Sequence, residues 1–174
     1  MRNLLIIPGN SSSNQKLLDT YSDYFQDKDF KIHTVPWQHW RDDKKNFVDD
    51  SEVDRIVELI NSTEGDFQVI AKSIGTIIFS KVLGMIDKKR IKKIFFLGLP
   101  IGKYVEKSLK SYSVLNDCEN ISITVIQAKN DPYYTFEQTE NFIRNLLKNE
   151  KIKLEKIDRG DHDYPIEDVE ELIS

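Results

Sequence analysis

Residues 71–80 read AKSIGTIIFS. The run that leads into them, Phe67-Gln68-Val69-Ile70-Ala71, is strand-like, and the run Ile77-Ile78-Phe79 that follows is apolar and helix-like. Lys72, Ser73, Ile74 and Gly75 therefore stand at a strand-to-helix corner. Ser73 is either a small residue capping the helix or a hydroxyl that the corner exposes. The decision rests on what the rest of the chain brings to the same place.

Strand-like and helix-like segments alternate along the whole sequence. Strands are expected at 3–8, 30–36, 66–71, 91–99, 121–128 and 151–157. Helices are expected at about 13–27, 52–63, 74–86, 134–149 and 165–173, with a short helical segment near 101–110. Ser12 and Gln15 have capping-box spacing at the start of the first helix. Val53, Ile56, Val57 and Ile60 fall on one face of the second. This alternation implies an α/β fold, a doubly wound and mostly parallel sheet with helices on both faces, three layers in all. LLII, FQVIA, IFFLGL and ITVIQA are nearly continuous apolar runs, as strands buried on both faces require. FKIHTV and IKLEKI are mixed and fit the sheet edges. The order 2-1-3-4-5-6 satisfies both observations.

The chain has 174 residues, a formal charge of −4, 39% hydrophobic and 31% charged residues. One domain spanning 1–174 is expected, burying roughly 70% of its unfolded surface. Basic residues are scattered, which argues against a nucleic-acid partner. Apolar runs fall short of the ~20 residues of a membrane helix. The single cysteine, Cys118, forms no internal disulfide, and no signal-peptide pattern opens the chain, so a cytoplasmic location is expected. Cys118 lies among acids in NDCEN, which disfavours a reactive thiolate. No grouping has metal-ligand spacing, and no cofactor is expected. The polar run 42–52 reads as a long surface connection.

In a doubly wound sheet the ligand site lies at the carboxyl ends of the strands, where strand order reverses. Ser73 follows strand 3, Asp131 follows strand 5 and His162 follows strand 6. A serine hydroxyl is a weak nucleophile; a histidine takes its proton, and a carboxylate fixes the imidazole tautomer. Backbone N–H groups must then hold the oxyanion. Of the other histidines, His33 lies within strand 2 as a half-buried or edge residue, and His39 follows it as a surface or pocket-wall residue. Asp161 and Asp163 flank His162 but are poorly placed to reach its far nitrogen.

The chain order Ser73, Asp131, His162 resembles that of α/β-hydrolase-fold serine hydrolases. AKSIG looks like their G-x-S-x-G elbow with Ala71 at the first glycine, AKNDP like the segment that carries the acid, and GDHDY like the histidine loop. The resemblance covers nearly the whole chain and implies a minimal, single-domain bacterial type. On that resemblance the expected fold is one without the family's two leading antiparallel strands and without a large cap. It implies cleavage of a small-molecule acyl substrate, an ester, thioester or amide, through an acyl-enzyme on catalytic Ser73, with His162 as base and acid and Asp131 orienting it. PGN stands where the family usually has His-Gly-x, so Asn10 N–H and Ile74 N–H would be the oxyanion donors.

Gly9, Ser11, Trp37, Tyr104, Tyr133 and Tyr134 are candidate pocket residues, and Trp40 lies with them in a loop at the same end. Ser12 and Ser13 read as helix caps, and Lys72 as a partly exposed lysine. The short 101–115 segment implies an open pocket for small acyl groups. Two rivals remain. One is a non-catalytic protein of the same fold that binds a small molecule or a protein partner. The other is a flavodoxin-like nucleotide or flavin binder using PGNSSSN.

Overall fold

The computed structural model describes residues 2–41, 47–147 and 151–173; side chains of 103–108 also lie outside the description. Six strands, β1 (Arg2–Ile7), β2 (Phe30–Thr34), β3 (Asp66–Lys72), β4 (Ile91–Leu97), β5 (Ser122–Ala128) and β6 (Ile152–Ile157), make one parallel sheet. Their order is β2-β1-β3-β4-β5-β6. The helices are α1 (Gln15–Phe25), α2 (Ser51–Ser62), α3 (Ile74–Leu83), α4 (Phe136–Leu146) and α5 (Ile166–Ile173).

Strand parity builds two cores. Leu5, Ile7, Val69, Ala71, Phe96 and Val125 point to one face, against Val53, Ile56 and Ile60 of α2 and the apolar length of α3. Leu4, Ile6, Ile70, Leu97, Ile126 and Ala128 point to the other, against α1 and α5. Successive side chains of a strand face opposite sides, so continuous apolar runs supply both cores at once. The edge strands lack that run: β2 and β6 are half-buried or exposed along nearly their whole length.

Two local expectations are corrected. Ser11, not Ser12, caps: its side chain accepts from Ser13 N–H and opens a 3-10 turn, Ser12–Asn14, ahead of α1. Asn14 then precedes α1 without a side-chain cap bond, so the Ser12–Gln15 box does not form. The segment expected as a helix at 101–110 is a run of 3-10 turns over Lys103–Asp117. Tyr112 and Leu115, and Cys118 just beyond the run, are buried three residues apart, a spacing that matches the 3-10 repeat. Among the described residues, no helix is long and apolar enough to cross a membrane.

Candidate active site

β1 pairs with β2 on one side and β3 on the other, so the chain reverses direction of winding at the carboxyl ends of β1 and β3. Ser73 sits there, between β3 and α3, with φ 52° and ψ −124°. A non-glycine residue in that region stores on the order of 1–3 kcal/mol. The surroundings outweigh it. Ser73 N–H donates to Leu97 O at 2.9 Å. Behind it Ile77, Ile78, Phe79, Val82 and Leu83 of α3 are all buried, each worth ~1.5–3 kcal/mol of burial. Gly75 sets the approach of α3 to β1: a Cβ there would lie 2.6 Å from Pro8 O and 2.9 Å from the Ile7 side chain. Ala71 is fully buried beneath the corner.

Asp131 and His162 meet across the ends of β5 and β6. Asp131 Oδ2 lies 2.6 Å from His162 Nδ1 and accepts from Tyr164 Oη–H at 2.9 Å. Its Oδ1 accepts from Tyr133 N–H at 2.9 Å and from Tyr134 N–H at 3.4 Å. Burial pushes the Asp131 carboxyl up, but the His162 bond, its charge, and the Tyr133 and Tyr164 donors together hold it below the ordinary carboxylate range. The ionised carboxylate assigns the proton of neutral His162 to Nδ1 and leaves a lone pair on Nε2. His162 Nε2 is buried and has no hydrogen-bond partner, to Ser73 or any other described residue.

Tyr164 is the residue that motif reading missed. It adopts φ 54°. Its hydroxyl also accepts from Ala128 N–H at 3.0 Å, and its carbonyl accepts from Tyr21 Oη–H at 2.9 Å. Gly98, at φ 63°, leaves the space for both rings: a Cβ there would lie 2.6 Å from Tyr164 and 2.8 Å from His162 Cε1. Gln127 ties the two adjoining loops, accepting from Leu99 N–H at 3.0 Å and donating to Tyr134 O at 2.7 Å.

The Gly9–Asn10 loop is held by rings from the segment after β2. Trp37 Nε1–H donates to Gly9 O at 2.8 Å. Trp40 Nε1–H donates to Asn10 O at 2.7 Å, and His39 Nε2 lies 3.0 Å from the same oxygen. Asn10 Oδ1 accepts from Val48 N–H at 2.9 Å. A trans peptide is planar with its C=O and N–H opposed. Trp37 on Gly9 O therefore fixes the direction of Asn10 N–H. Glu52, buried in α2, steadies the segment in turn through Gln38 N–H at 2.7 Å and through Arg55, which reaches Pro36 O.

These parts enclose a cleft of 650 Å³ that Gly9, Asn10, Ser11, Ser73, Ile74 and His162 help to line. The size suits a small organic ligand. Tyr133 and Tyr134 also line it, and the Tyr133 ring packs edge-on against His162 at 4.8 Å. Trp37 does not: it is fully buried beneath the loop, and with Trp40 it supports the cleft rather than lining it. The Tyr104 side chain lies outside the described residues. Phe47, within the run expected to be surface connection, lines the cleft; 42–46 lie outside the description. Lys72 is a further correction: it is buried, and its Nζ donates to Asn14 Oδ1 at 2.8 Å. Burial presses the Lys72 ammonium below its ordinary range, against the charges of Asp163, Asp131 and Asp161. His33 is half-buried in edge strand β2, its Nε2 3.1 Å from Asn3 Oδ1. Among the described residues, no group of His, Cys, Asp and Glu is arranged to hold a metal ion.

A family model described as "Serine hydrolase" matches residues 4–155, a span that includes Ser73 and Asp131 and ends before His162. No curated protein matches the sequence. Three solved structures illustrate the likeness of fold. An uncharacterized protein from Bacillus cereus superposes with TM-score 0.72 at 19% identity over 98% of this chain, which spans 56% of that one. A pyrethroid hydrolase from Sphingobium faniae gives TM-score 0.72 at 10% identity, covering 99% of this chain and 96% of that one. An alpha-beta serine hydrolase homologue from Coxiella burnetii gives 0.66 at 15% identity, covering 99% and 83%.

Proposed function

The chain belongs to the serine hydrolase family, and from that premise we propose that it cleaves a small ester or thioester through an acyl-enzyme on Ser73. Ser73 Oγ attacks the carbonyl carbon while His162 Nε2 takes the hydroxyl proton. Asp131 holds Nδ1–H and stabilises the imidazolium that forms. Backbone N–H groups of Ile74 and Asn10 receive the oxyanion; Ile74 is the first residue of α3, where an N–H has no intrahelical acceptor. The alcohol or thiol leaves with the proton from Nε2. Water, deprotonated by His162, then releases the acid and restores Ser73.

The observation that carries this reading is the 2.6 Å contact of His162 Nδ1 with a buried, ionised Asp131, in a cleft that also holds Ser73 on its strained corner. One observation favours a second reading. His162 Nε2 makes no hydrogen bond to Ser73, which fits a non-catalytic protein of this fold that binds a small molecule or a partner. Catalytic hydrogen bonds are also often long without substrate and tighten only around it. A fluorophosphonate separates the readings. Catalysis requires labelling of Ser73 in the wild type, none in Ser73→Ala, and turnover of short p-nitrophenyl esters. A folded wild type that resists labelling and hydrolyses no such ester leaves the binding reading.

A further inference from the structure

Lys72 adjoins Ser73 and is 6% exposed, and Asn14, which holds its Nζ at 2.8 Å, is 7% exposed. Lys72 and Asn14 line the 650 Å³ cleft, and both also line an adjoining 400 Å³ cavity beside α1 and α5. They are shared by both linings, so the Lys72–Asn14 bond forms part of the wall between the two spaces. Among the described residues, no carboxylate lies within ion-pairing distance of Lys72. Asp131, Asp161 and Asp163 act on it only from farther away.

An ammonium carries three N–H donors and no acceptor. Here one donor meets a neutral amide oxygen. Buried charges are ordinarily paired, because burial without a counter-charge is costly. Asn14 does not supply that charge, and its amide is itself committed: Asn14 Nδ2–H donates to Ser11 O at 2.8 Å. Lys72 itself lines both spaces, and Asn14 Oδ1 takes only one of its three donors. A carboxylate entering there gains a charge-assisted hydrogen bond that no described side chain provides.

We propose that Lys72, steadied by Asn14, is a specificity residue that receives a carboxylate carried by the substrate, making the preferred substrate an acidic ester or thioester. The inference rests on the hydrolase reading and names its substrate class. In an acyl arm the acid lies at the far end of the acyl chain. In an alcohol arm it lies on the leaving group. The chemistry at Lys72 is the same in both.

Paired substrates test it. In the acyl arm, mono-p-nitrophenyl succinate is compared with p-nitrophenyl butyrate. In the alcohol arm, 4-acetoxybenzoate is compared with 4-acetoxytoluene. The wild type is expected to favour the acidic member of at least one pair by roughly tenfold or more in kcat/KM, the scale of one charge-assisted bond. That ratio is expected to fall toward one in Lys72→Met. It is also expected to fall in Asn14→Asp, an isosteric change that gives Lys72 an internal counter-charge and decides the matter if Lys72→Met does not fold. Equal rates within both pairs overturn the proposal and leave the hydrolase reading intact. A preference that survives in the folded variants overturns it as well. Failure to hydrolyse any of the four esters, with Ser73 unlabelled by a fluorophosphonate, overturns both.

Discussion

Around Asp131, four donors converge on one carboxylate, from Tyr133, Tyr134, Tyr164 and His162 among the described residues. Around Gly9 and Asn10, three ring nitrogens converge on two backbone carbonyls. Both arrangements immobilise a wall of the same cleft, but with opposite electrostatics. The first concentrates a negative charge and so titrates. The second rests on two indole N–H donors set on backbone carbonyls, and its geometry carries its value. Damage to the first should appear as a loss of chemistry with a pH signature. Damage to the second should appear as a smaller fall in turnover.

Ser73→Ala removes the group that both walls serve. Turnover should drop by about 10⁶ if Ser73 and His162 act as a unit, measured on p-nitrophenyl esters with labelling lost in parallel. Asp131→Asn keeps the shape of the acid wall and removes its charge. A fall of roughly 10⁴ in kcat is expected. The same variant has a stability signature. Asp131 is held below the ordinary carboxylate range in the folded chain, so the unfolded chain binds that proton more tightly. Its contribution is full above the unfolded value of about 4 and is lost as pH falls through the lower, folded value. Urea melts should therefore show a gap between wild type and Asp131→Asn that is level near neutral pH and narrows once pH falls below about 4. A gap that stays constant would mean the carboxylate is not stabilised as described.

Trp37→Phe probes the neutral wall by deleting one N–H and keeping most of the buried ring. We expect kcat to fall roughly tenfold with KM little changed, less than the 10²–10³ of losing an oxyanion donor outright. Trp40→Phe should cost less, because His39 still faces Asn10 O. Equal effects of the two would break the assignment of Asn10 N–H as the oriented donor. The smallest effect is expected from Tyr164→Phe. It strands the buried Ala128 N–H and costs ~1–3 kcal/mol of stability in urea, with activity falling far less than in Asp131→Asn.

The two walls also differ in how far the sequence discloses them. The acid wall is written in short signatures, AKNDP and GDHDY, and the sheet order that brings them together follows from which strands are apolar on both faces. Strand and helix bounds differ from expectation by a few residues at their ends, where caps and 3-10 turns compete. The neutral wall is not written locally. Trp37 reaches Gly9 across 28 residues, and a tryptophan in a polar loop carries no sign that its N–H meets a carbonyl beneath another loop. Tyr164 stands two residues from His162, yet its role depends on Gly98 having no side chain. Lys72 misled for a related reason. A lysine is ordinarily solvated, and the partner that meets this buried ammonium is Asn14, a residue of a 3-10 turn 58 positions away.

His162 follows β6, an edge strand that is half-buried or exposed along most of its length. Edge elements open at lower free energy than the centre of a sheet. A fluctuation that peels β6 and α5 from β5 would carry the imidazole away while Ser73, anchored by β3 and α3, stays in place. On this basis the working lifetime on heating is expected to follow this rim and not global melting. Hydrolase activity should be lost at a lower temperature than the far-ultraviolet circular dichroism, and amides of β6 should exchange with solvent before those of β3.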